Sequence, residues 1–357
     1  MTVRVLIIDD SPLARGLIGE IIAQTPGWEV AAYARDGVAA AEELKRIAPN
    51  IVTLDLEMPR MDGVRFLETI LPDHPLPVVV VSSIAKAGQA LTMRALALGA
   101  VDFVTKPNAS TAQAFEQYAT LLRAKLNAAL NVNRDALRQL LARPRDSAAR
   151  ANVALPASPS LRPQLSGKKG ALIALGASAG GPLALRRVIE DLPAHCPPVL
   201  IAQHMPAPFT AAFATRLGKD SALRVREARN GDVLEAGCGY VAPGNTHMRV
   251  ICQGSVYRLV VEPGAAIRQH RPSVDVLFES VAQAAGALGV VAVLTGMGDD
   301  GARGVVAVKE VGGRAIAQDA ATSAIYGMPR AAAATGVLDA ILPLERIAQA
   351  CIRACSG

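Results

Sequence analysis

The sequence predicts two α/β domains, each built on a largely parallel sheet, with an irregular segment between them. Apolar runs of strand length alternate with helical patterns in both halves of the chain, as in sheets that are covered by helices. Hydrophobic residues make up 51% of the chain and aromatic residues only 3%, so Ala, Val, Leu and Ile must build the cores. Residues 144–169 are rich in Pro, Ser, Ala and Arg and lack periodicity, which is typical of a flexible linker. We therefore place the domains at 1–122 and 169–357, with a long helix and the linker at 123–168.

The first half has the pattern of a doubly wound (βα)5 domain. Its predicted strands are VRVLIID, WEVAAYA, IVTLDL, PVVVVSS and DFVTKP. Its predicted helices are LARGLIGEIIAQT, VAAAEELKRIA and MRALALG, followed by one long helix, AFEQYATLLRAKLNAALNVNRDALRQLLA. Short links between strands and helices favour a parallel sheet.

The second half repeats the alternation and predicts a second parallel sheet of six or seven strands. Strands are predicted at ALIALGA, PVLIAQ, GVVAVLTG, RAIAQD and VLDAIL, and helices at PLALRRVIEDL, FTAAFATRLG, GARGVVAVKEV and LERIAQACIRA. Residues 222–262 contain more Gly and alternating residues, so we expect a hairpin or a small antiparallel extension there.

Composition excludes several function classes. The net charge of +6 is concentrated towards the linker, and neither a nucleic-acid-binding motif nor enough aromatic residues for base stacking accompany it, so we expect no nucleic-acid partner. An acidic protein partner is the alternative explanation of that charge. The start, MTVRVLIIDDSP, has aspartates where a secretory leader stays apolar, and no apolar run reaches the length of a membrane span. Together with five irregularly spaced cysteines, this predicts a cytoplasmic protein with reduced thiols and no membrane insertion.

Charged and hydroxyl side chains end the strands of the first half. The first strand ends in Asp9 and Asp10, Asp55 lies in the third, the fourth ends in Ser82 and the fifth ends in Lys106. The carboxyl ends of parallel strands converge at one crevice, where three carboxylates could hold Mg²⁺. An Asp there can accept a phosphoryl group whose oxygens the ammonium and hydroxyl groups bind. The alternative is a buried ionic cluster with no ligand.

In the second half, the stretch ALIALGASAGGP could cradle a phosphate or present a nucleophile. A phosphate loop of the NTPase type requires Lys after Gly181, and the dinucleotide pattern requires Gly in place of Ser178. Gly176 to Gly180 instead fit G-x-S-x-G between a strand and a helix, which favours Ser178 as a nucleophile. A nucleotide-binding second domain is kept as an alternative, because anions also bind at helix starts.

A base and an acid follow other apolar strands of this half. His204 comes directly after PVLIAQ, and Asp299 and Asp300 follow GVVAVLTGMG, so all should reach the same sheet edge as Ser178. Imidazole can activate the serine hydroxyl, and a carboxylate can orient the imidazole. Spacing does not separate the two aspartates, and the chain order Ser, His, Asp excludes the α/β-hydrolase fold. His247 and His270 are rival bases and Asp275 is a rival acid. His195 beside Cys196 could indicate a cysteine nucleophile instead.

Oxyanion donors can come from two glycine-rich loops. The candidates are the backbone amides of residues 178–181 and of the loop 296–298.

The motifs of the first half, DD near the start, LDLEMPRMDG, VVSS and TKP, resemble the receiver domain of bacterial response regulators over residues 3–122. The resemblance implies that a histidine kinase phosphorylates Asp55 and that Lys106 contacts the phosphoryl group. The Mg²⁺ ligands it implies are Asp9, Asp10, Asp55 and the backbone carbonyl of Glu57. The switch pair it implies is Ser82 and Phe103.

The motifs of the second half, GASAGG, QHMP, PGNTHM, RPSVDVLF, TGMGDDG and GMPR, resemble the catalytic domain of the CheB family of chemotaxis methylesterases over residues 169–354. The resemblance implies Ser178 as nucleophile, His204 as base and acid, Asp300 as the third member and the Met297 amide as oxyanion donor. Ala179 stands where many members have Thr.

The two resemblances together imply a phosphorylation-activated protein-glutamate methylesterase that also deamidates glutamines. Its substrates would be the cytoplasmic helices of methylated chemoreceptors, and the result of the reaction would be sensory adaptation. The ester hydrolysis would need no cofactor. The alternative is a response regulator whose second domain is a non-enzymatic module that binds a ligand or a partner.

Overall fold

The computed structural model describes residues 2–70, 72, 76–83, 85–107, 111–142 and 170–356. The predicted linker at 144–169 lies outside the described residues. Among the helices of the described part, none combines the length and the apolar character that a membrane span requires.

The first domain is a five-stranded parallel sheet in the order β2-β1-β3-β4-β5, as predicted for a doubly wound fold. Its strands are β1 (Val3–Ile8), β2 (Trp28–Ala34), β3 (Ile51–Asp55), β4 (Val78–Ser82) and β5 (Asp102–Thr105). Its helices are α1 (Pro12–Ala23), α2 (Gly37–Arg46), α3 (Gly63–Ile70), α4 (Lys86–Ala97) and α5 (Ala112–Leu130). The apolar runs of β3 and β4 are buried on both faces, which explains why they lack alternation. Helix α3 was not predicted, because it is short and begins at Gly63 after turn-forming residues.

The long closing helix predicted for this half is wrong. The chain forms α5 and then a separate α6 (Arg134–Ala142). Asn133 interrupts the helix, since its side-chain oxygen accepts hydrogen bonds from the backbone amides of Asp135 and Ala136 and so begins α6. The backbone amide of Asn133 donates a hydrogen bond to the carbonyl of Ala324 in the second domain, at 2.8 Å. This contact with a distant part of the chain compensates for the broken helix, and the local pattern does not contain it.

The second domain is a seven-stranded parallel sheet in the order β14-β13-β12-β6-β7-β9-β8, which confirms the predicted strand number. Its strands are β6 (Leu172–Ala177), β7 (Val199–Gln203), β8 (Arg224–Glu227), β9 (Cys238–Val241), β12 (Gly289–Val293), β13 (Arg314–Gln318) and β14 (Ala340–Leu342). The predicted hairpin is confirmed as the antiparallel pair β10 (His247–Gln253) and β11 (Val256–Glu262). Strands β8 and β9 of the same region instead extend the main sheet in parallel.

Six helices cover this sheet: α7 (Gly181–Asp191), α8 (Ala207–Lys219), α9 (Val274–Ala285), α10 (Ala302–Glu310), α11 (Met328–Ala334) and α12 (Leu344–Ser356). Helices α9 and α11 were not predicted. Helix α9 is buried at eight of its twelve residues, so it lacks the polar face that makes a surface helix recognisable.

The two domains meet next to the carboxyl ends of β6 and β7. Helix α4 packs against α7 and α8. The Phe103 ring of β5 lies 4.5 Å from the Phe209 ring of α8, centroid to centroid, and both residues are buried. The backbone amide of Gly180 donates to the carbonyl of Val101 at 2.9 Å. The first domain therefore contacts the turn that follows β6 and the helix that follows β7.

Candidate active site

Ser178 lies in the tight turn between β6 and α7 and is buried. Its amide donates to the carbonyl of Thr295, which holds the turn against the loop after β12. Gly180 ends the turn with φ 74°, a left-handed conformation that favours glycine. A Cβ at Gly296 would lie 2.7 Å from the Ser178 Cβ, so only glycine allows this approach. The predicted strand–turn–helix context of Ser178 is therefore confirmed.

His204 directly follows β7, and its imidazole forms a buried pair with Asp300. Nε2 of His204 lies 2.8 Å from Oδ2 of Asp300. Nδ1 of His204 has no hydrogen-bond partner among the described residues. Because Nε2 donates to the carboxylate, Nδ1 carries the lone pair and can accept a proton.

Gln203 ties the turn of Ser178 to His204. Its side-chain Nε2 donates to the Ser178 carbonyl at 2.8 Å and to the His204 carbonyl at 3.2 Å. No role was predicted for Gln203, since a glutamine at a strand end is not specific to any one chemistry.

Asp300 is held by the start of α9. Its carboxylate accepts hydrogen bonds from the Ser273 hydroxyl and from the backbone amides of Val274 and Asp275, at 2.7–3.0 Å. Burial alone would raise the pKa of Asp300, but the hydrogen bond from His204 and those from the amides lower it to about 2. Asp300 is therefore an ionised acceptor for the imidazole.

The rival acids occupy other positions. Asp299 is exposed and pairs with Arg268. Asp275 is buried, and its Oδ1 accepts hydrogen bonds from the amides of Gly301 and Gly304 at the start of α10. Asp275 therefore holds the loop that carries Asp300, and neither rival pairs with His204.

The rival bases also differ from His204 in their surroundings. His247 bridges two backbone groups: Nε2 lies 2.9 Å from the Ala265 carbonyl, and Nδ1 accepts from the Ser273 amide. His195 is exposed before β7, and burial raises the pKa of the adjacent Cys196 to about 12, so this thiol stays protonated. His270 stacks on His204 without a carboxylate of its own within hydrogen-bond distance among the described residues.

Met297 lies in the loop that follows β12 and is about half exposed. The same loop touches the turn of Ser178 through Gly296. The role of the Met297 amide as an oxyanion donor remains a prediction that this proximity favours.

Ser273, at the start of α9, is a further residue of the site that was not predicted. Ser273 begins this helix, because its hydroxyl accepts a hydrogen bond from the Val276 amide while it donates to Asp300. A Ser followed by an apolar run is a helix-start signal, and RPSVDVLF contains it.

The strand ends of the first domain form the predicted acidic cluster. Carboxylate oxygens of Asp9, Asp10 and Asp55 all lie within 4.8 Å of one another. The Lys106 ammonium lies 2.9 Å from Asp9 Oδ2 and 2.8 Å from Asp55 Oδ2. Burial raises the pKa of Asp55, against the lowering effect of Lys106, and the charge of Asp9 adds to the rise. One ammonium does not balance three carboxylates, so this oxygen-rich cluster fits a hard divalent cation.

The two predicted switch residues have different partners. The Ser82 hydroxyl is 2.5 Å from that of Thr92 on α4, so it is directed to that helix. The Phe103 side chain contacts Phe209 across the domain interface. The Glu57 amide lies 3.4 Å from Asp55 Oδ1, while its carboxylate accepts a hydrogen bond from Ser83. Sequence reasoning did not identify Thr92 or Phe209.

Comparisons with known proteins agree with this architecture. The family model described as CheB methylesterase matches residues 173–351, and that of the response regulator receiver domain matches residues 5–114. A protein of Pseudomonas aeruginosa named protein-glutamate methylesterase/protein-glutamine glutaminase 2 is 45% identical over 99% of this chain and 97% of its own length. A Xanthomonas campestris protein with the same name and the number 1 is 44% identical over 97% and 96%.

A solved structure extends the similarity to the catalytic fold. The CheB methylesterase catalytic domain of Thermotoga maritima covers 52% of this chain and 98% of its own, with 35% identity and a TM-score of 0.51. The chain therefore belongs to the CheB methylesterase family, with a response regulator receiver domain preceding its catalytic domain.

Proposed function

We propose that the protein hydrolyses γ-methyl glutamate esters, and deamidates glutamines, on the cytoplasmic helices of chemoreceptors, and that it does so in the cytoplasm under the control of phosphorylation. The observation that carries this proposal is the buried His204–Asp300 pair, with Nδ1 of the imidazole free to accept a proton, beside the turn that contains Ser178. The products are glutamate carboxylates, which lower receptor signalling and so produce sensory adaptation.

The proposed reaction uses these side chains in a fixed order. Ser178 Oγ attacks the ester carbonyl while His204 accepts the hydroxyl proton, and Asp300 stabilises the imidazolium. His204 then protonates the leaving methoxide, and methanol departs. Water attacks the acyl-serine with His204 again as base, which releases the glutamate carboxylate and restores Ser178. A glutamine side chain passes through a similar tetrahedral intermediate, in which an amino group takes the place of methoxide. His204 protonates that nitrogen, ammonia departs, and the same acyl-serine is then hydrolysed.

The oxyanion of each intermediate needs hydrogen-bond donors. The Met297 amide and the amides of the Ser178 turn are our candidates, since both loops lie at this sheet edge and Gly296 brings them together. No cofactor is required for this hydrolysis, because imidazole and carboxylate supply the proton transfer.

In the receiver domain, we assign Asp55 as the acceptor of a phosphoryl group from a chemotaxis histidine kinase. Asp9, Asp10, Asp55 and the Glu57 carbonyl would hold Mg²⁺, which when bound offsets the charge of the phosphoryl oxygens. Lys106 is near enough to Asp55 to bind one of those oxygens.

Asp10→Asn is expected to weaken Mg²⁺ binding on the order of tenfold, because it removes one of three carboxylates from the cluster. Titration calorimetry of the full chain with MgCl₂ measures this. Asp135→Asn, an exposed carboxylate on α6, is the matched control and should leave the affinity unchanged. Equal affinity for Asp10→Asn and the wild type would contradict the assignment.

The contacts between the domains support control by the receiver. Phe103 packs on Phe209, five residues after His204, and Val101 accepts a hydrogen bond from Gly180, two residues after Ser178. A cleft of about 770 Å³ beside Met297 is bordered on its other side by α5 of the receiver. We infer that the unphosphorylated receiver restricts access to Ser178 and that phosphorylation of Asp55 shifts the population to an open form.

Phe103→Ala is expected to raise the basal methylesterase rate of the unphosphorylated chain on the order of tenfold, because it removes an aromatic contact that holds the closed form. A small phosphodonor should raise the rate of the wild type but not of Asp55→Asn. Methanol release is the measurement, and Tyr33→Ala, which truncates an exposed aromatic residue on β2, is the control. An unphosphorylated wild type as fast as the isolated catalytic domain would refute the restriction.

The alternative, a second domain that binds a ligand or a partner without catalysis, is tested by the same methanol-release measurement. If the wild type releases no methanol from methylated receptor membranes, the non-enzymatic alternative is favoured. Equilibrium dialysis with ATP and NAD tests the nucleotide-binding alternative.

A further inference from the structure

A tight turn between β11 and α9 places the imidazole of His270 flat against that of His204. The ring centroids are 3.7 Å apart and the ring planes differ by 10°. Ile267 and His270 exchange two backbone hydrogen bonds, of 3.2 and 2.9 Å, which makes Arg268 and Gln269 the central residues of the turn. The turn therefore presents one particular side chain to the candidate base.

This turn is built at a conformational cost. Arg268 has φ 49° and Gln269 has φ 68°, so two neighbouring residues with side chains adopt the left-handed conformation. Turns with two such residues favour Asn and Gly. Backbone strain of this kind persists where the surrounding contacts enforce it, and it concentrates at functional sites.

Contacts on both sides enforce the turn. Arg268 forms an ion pair with Asp299, the neighbour of Asp300 in the chain. His247 holds the segment before the turn through the Ala265 carbonyl and the segment after it through the Ser273 amide. The same elements that hold Asp300 thus also hold His270 over His204.

We propose that His270 is a positioning residue for His204, an inference that rests on the methylesterase activity proposed above. The hydrogen bond to Asp300 fixes one ring nitrogen of His204 but leaves the ring free to tilt about it. The stacked ring of His270 removes that freedom and covers one face of the base from water. His204 then keeps Nδ1 in the orientation that proton transfer from Ser178 requires.

The charges around the pair favour a neutral His270. Burial and the neighbouring His204 lower the pKa of His270 to about 4, and Lys125 of the receiver acts in the same direction. Asp300 and Asp299 act in the opposite direction and are outweighed. A neutral ring can remain stacked when His204 becomes an imidazolium, whereas a charged one would repel it.

The test compares full-length His270→Ala, His270→Gln and His270→Phe with the wild type, each phosphorylated with a small phosphodonor. We expect His270→Ala and His270→Gln to lower kcat for methanol release about tenfold, which corresponds to the free energy that an aromatic stack contributes. His270→Phe keeps a stacked ring, so its kcat should remain within about threefold of the wild type. The acid limb of kcat/KM should move to higher pH for Ala and Gln, because water then stabilises the imidazolium, and should stay in place for Phe. His195→Ala, an exposed histidine, is the control.

The outcomes separate this proposal from the one on which it depends. Wild type that releases no methanol refutes the methylesterase proposal and this one with it. Active wild type with unchanged kcat and pH profile in His270→Ala and His270→Gln overturns the positioning role alone. Loss of nearly all methanol release in every variant, Phe included, would also overturn it, since His270 would then be the base itself.

Discussion

Ser178→Ala is expected to lower methanol release from a methylated receptor on the order of 10⁴-fold or more, because Ser178 carries the hydroxyl of the turn between β6 and α7 that would form the acyl intermediate. The substitution removes a single oxygen from a turn that is held by backbone contacts, so the fold should remain. Steady-state methanol release by the phosphorylated full chain is the measurement.

Two controls accompany Ser178→Ala. Ser255→Ala, in the exposed turn between β10 and β11, should keep the wild-type rate. Phosphorylation of Asp55 by a small phosphodonor should be the same in Ser178→Ala as in the wild type, which would show that the receiver is intact. Methanol release that persists in Ser178→Ala would assign the chemistry to another nucleophile.

Asp300→Asn is expected to lower kcat/KM on the order of 10³- to 10⁴-fold. The Asp300 carboxylate accepts four hydrogen bonds. The side-chain NH₂ group of Asn would face these four donors without an acceptor, and the His204 imidazolium would lose its counter-charge. Asp299→Asn is the comparison variant, because spacing along the sequence did not distinguish Asp299 from Asp300. We expect its kcat/KM to fall less than about tenfold, because Asp299 is exposed. A larger loss for Asp299→Asn than for Asp300→Asn would reverse the assignment.

The pH dependence of stability provides a second measurement on the same variant. The folded-state pKa of Asp300 is lowered to about 2, so its ionised form stabilises the fold above the unfolded value near 4. That stabilisation is lost as the pH falls from about 4 to about 2. The difference in unfolding free energy between wild type and Asp300→Asn should therefore shrink over this range in urea titrations.

Much of the site follows from local patterns. Parallel strands end at the same edge of a sheet, and each of β6, β7 and β12 is an apolar run with a chemically active residue shortly after it. The prediction that Ser178, His204 and an aspartate converge therefore needed only the strands and their direction. The same reasoning brought Asp9, Asp55 and Lys106 together in the receiver.

Where sequence reasoning failed, contacts from distant parts of the chain were decisive. The closing helix of the first half breaks at Asn133, because the backbone amide of Asn133 donates a hydrogen bond to the Ala324 carbonyl of the second domain. Helix α9 is nearly surrounded by other elements, so its pattern lacks the polar face that marks a surface helix.

The sequence by itself determined two parallel sheets and the strand ends at which active side chains gather, because period, strand length and direction are local properties. Spacing left Asp299 and Asp300 equivalent and only the family resemblance implied Asp300, whereas the tertiary structure shows that Asp300 faces His204 and that His270 covers it. These choices depend on the start of α9 and on the strained turn before it, which approach the site from a different part of the chain. Spacing along the sequence carries no information about which of two adjacent carboxylates such an element will hold.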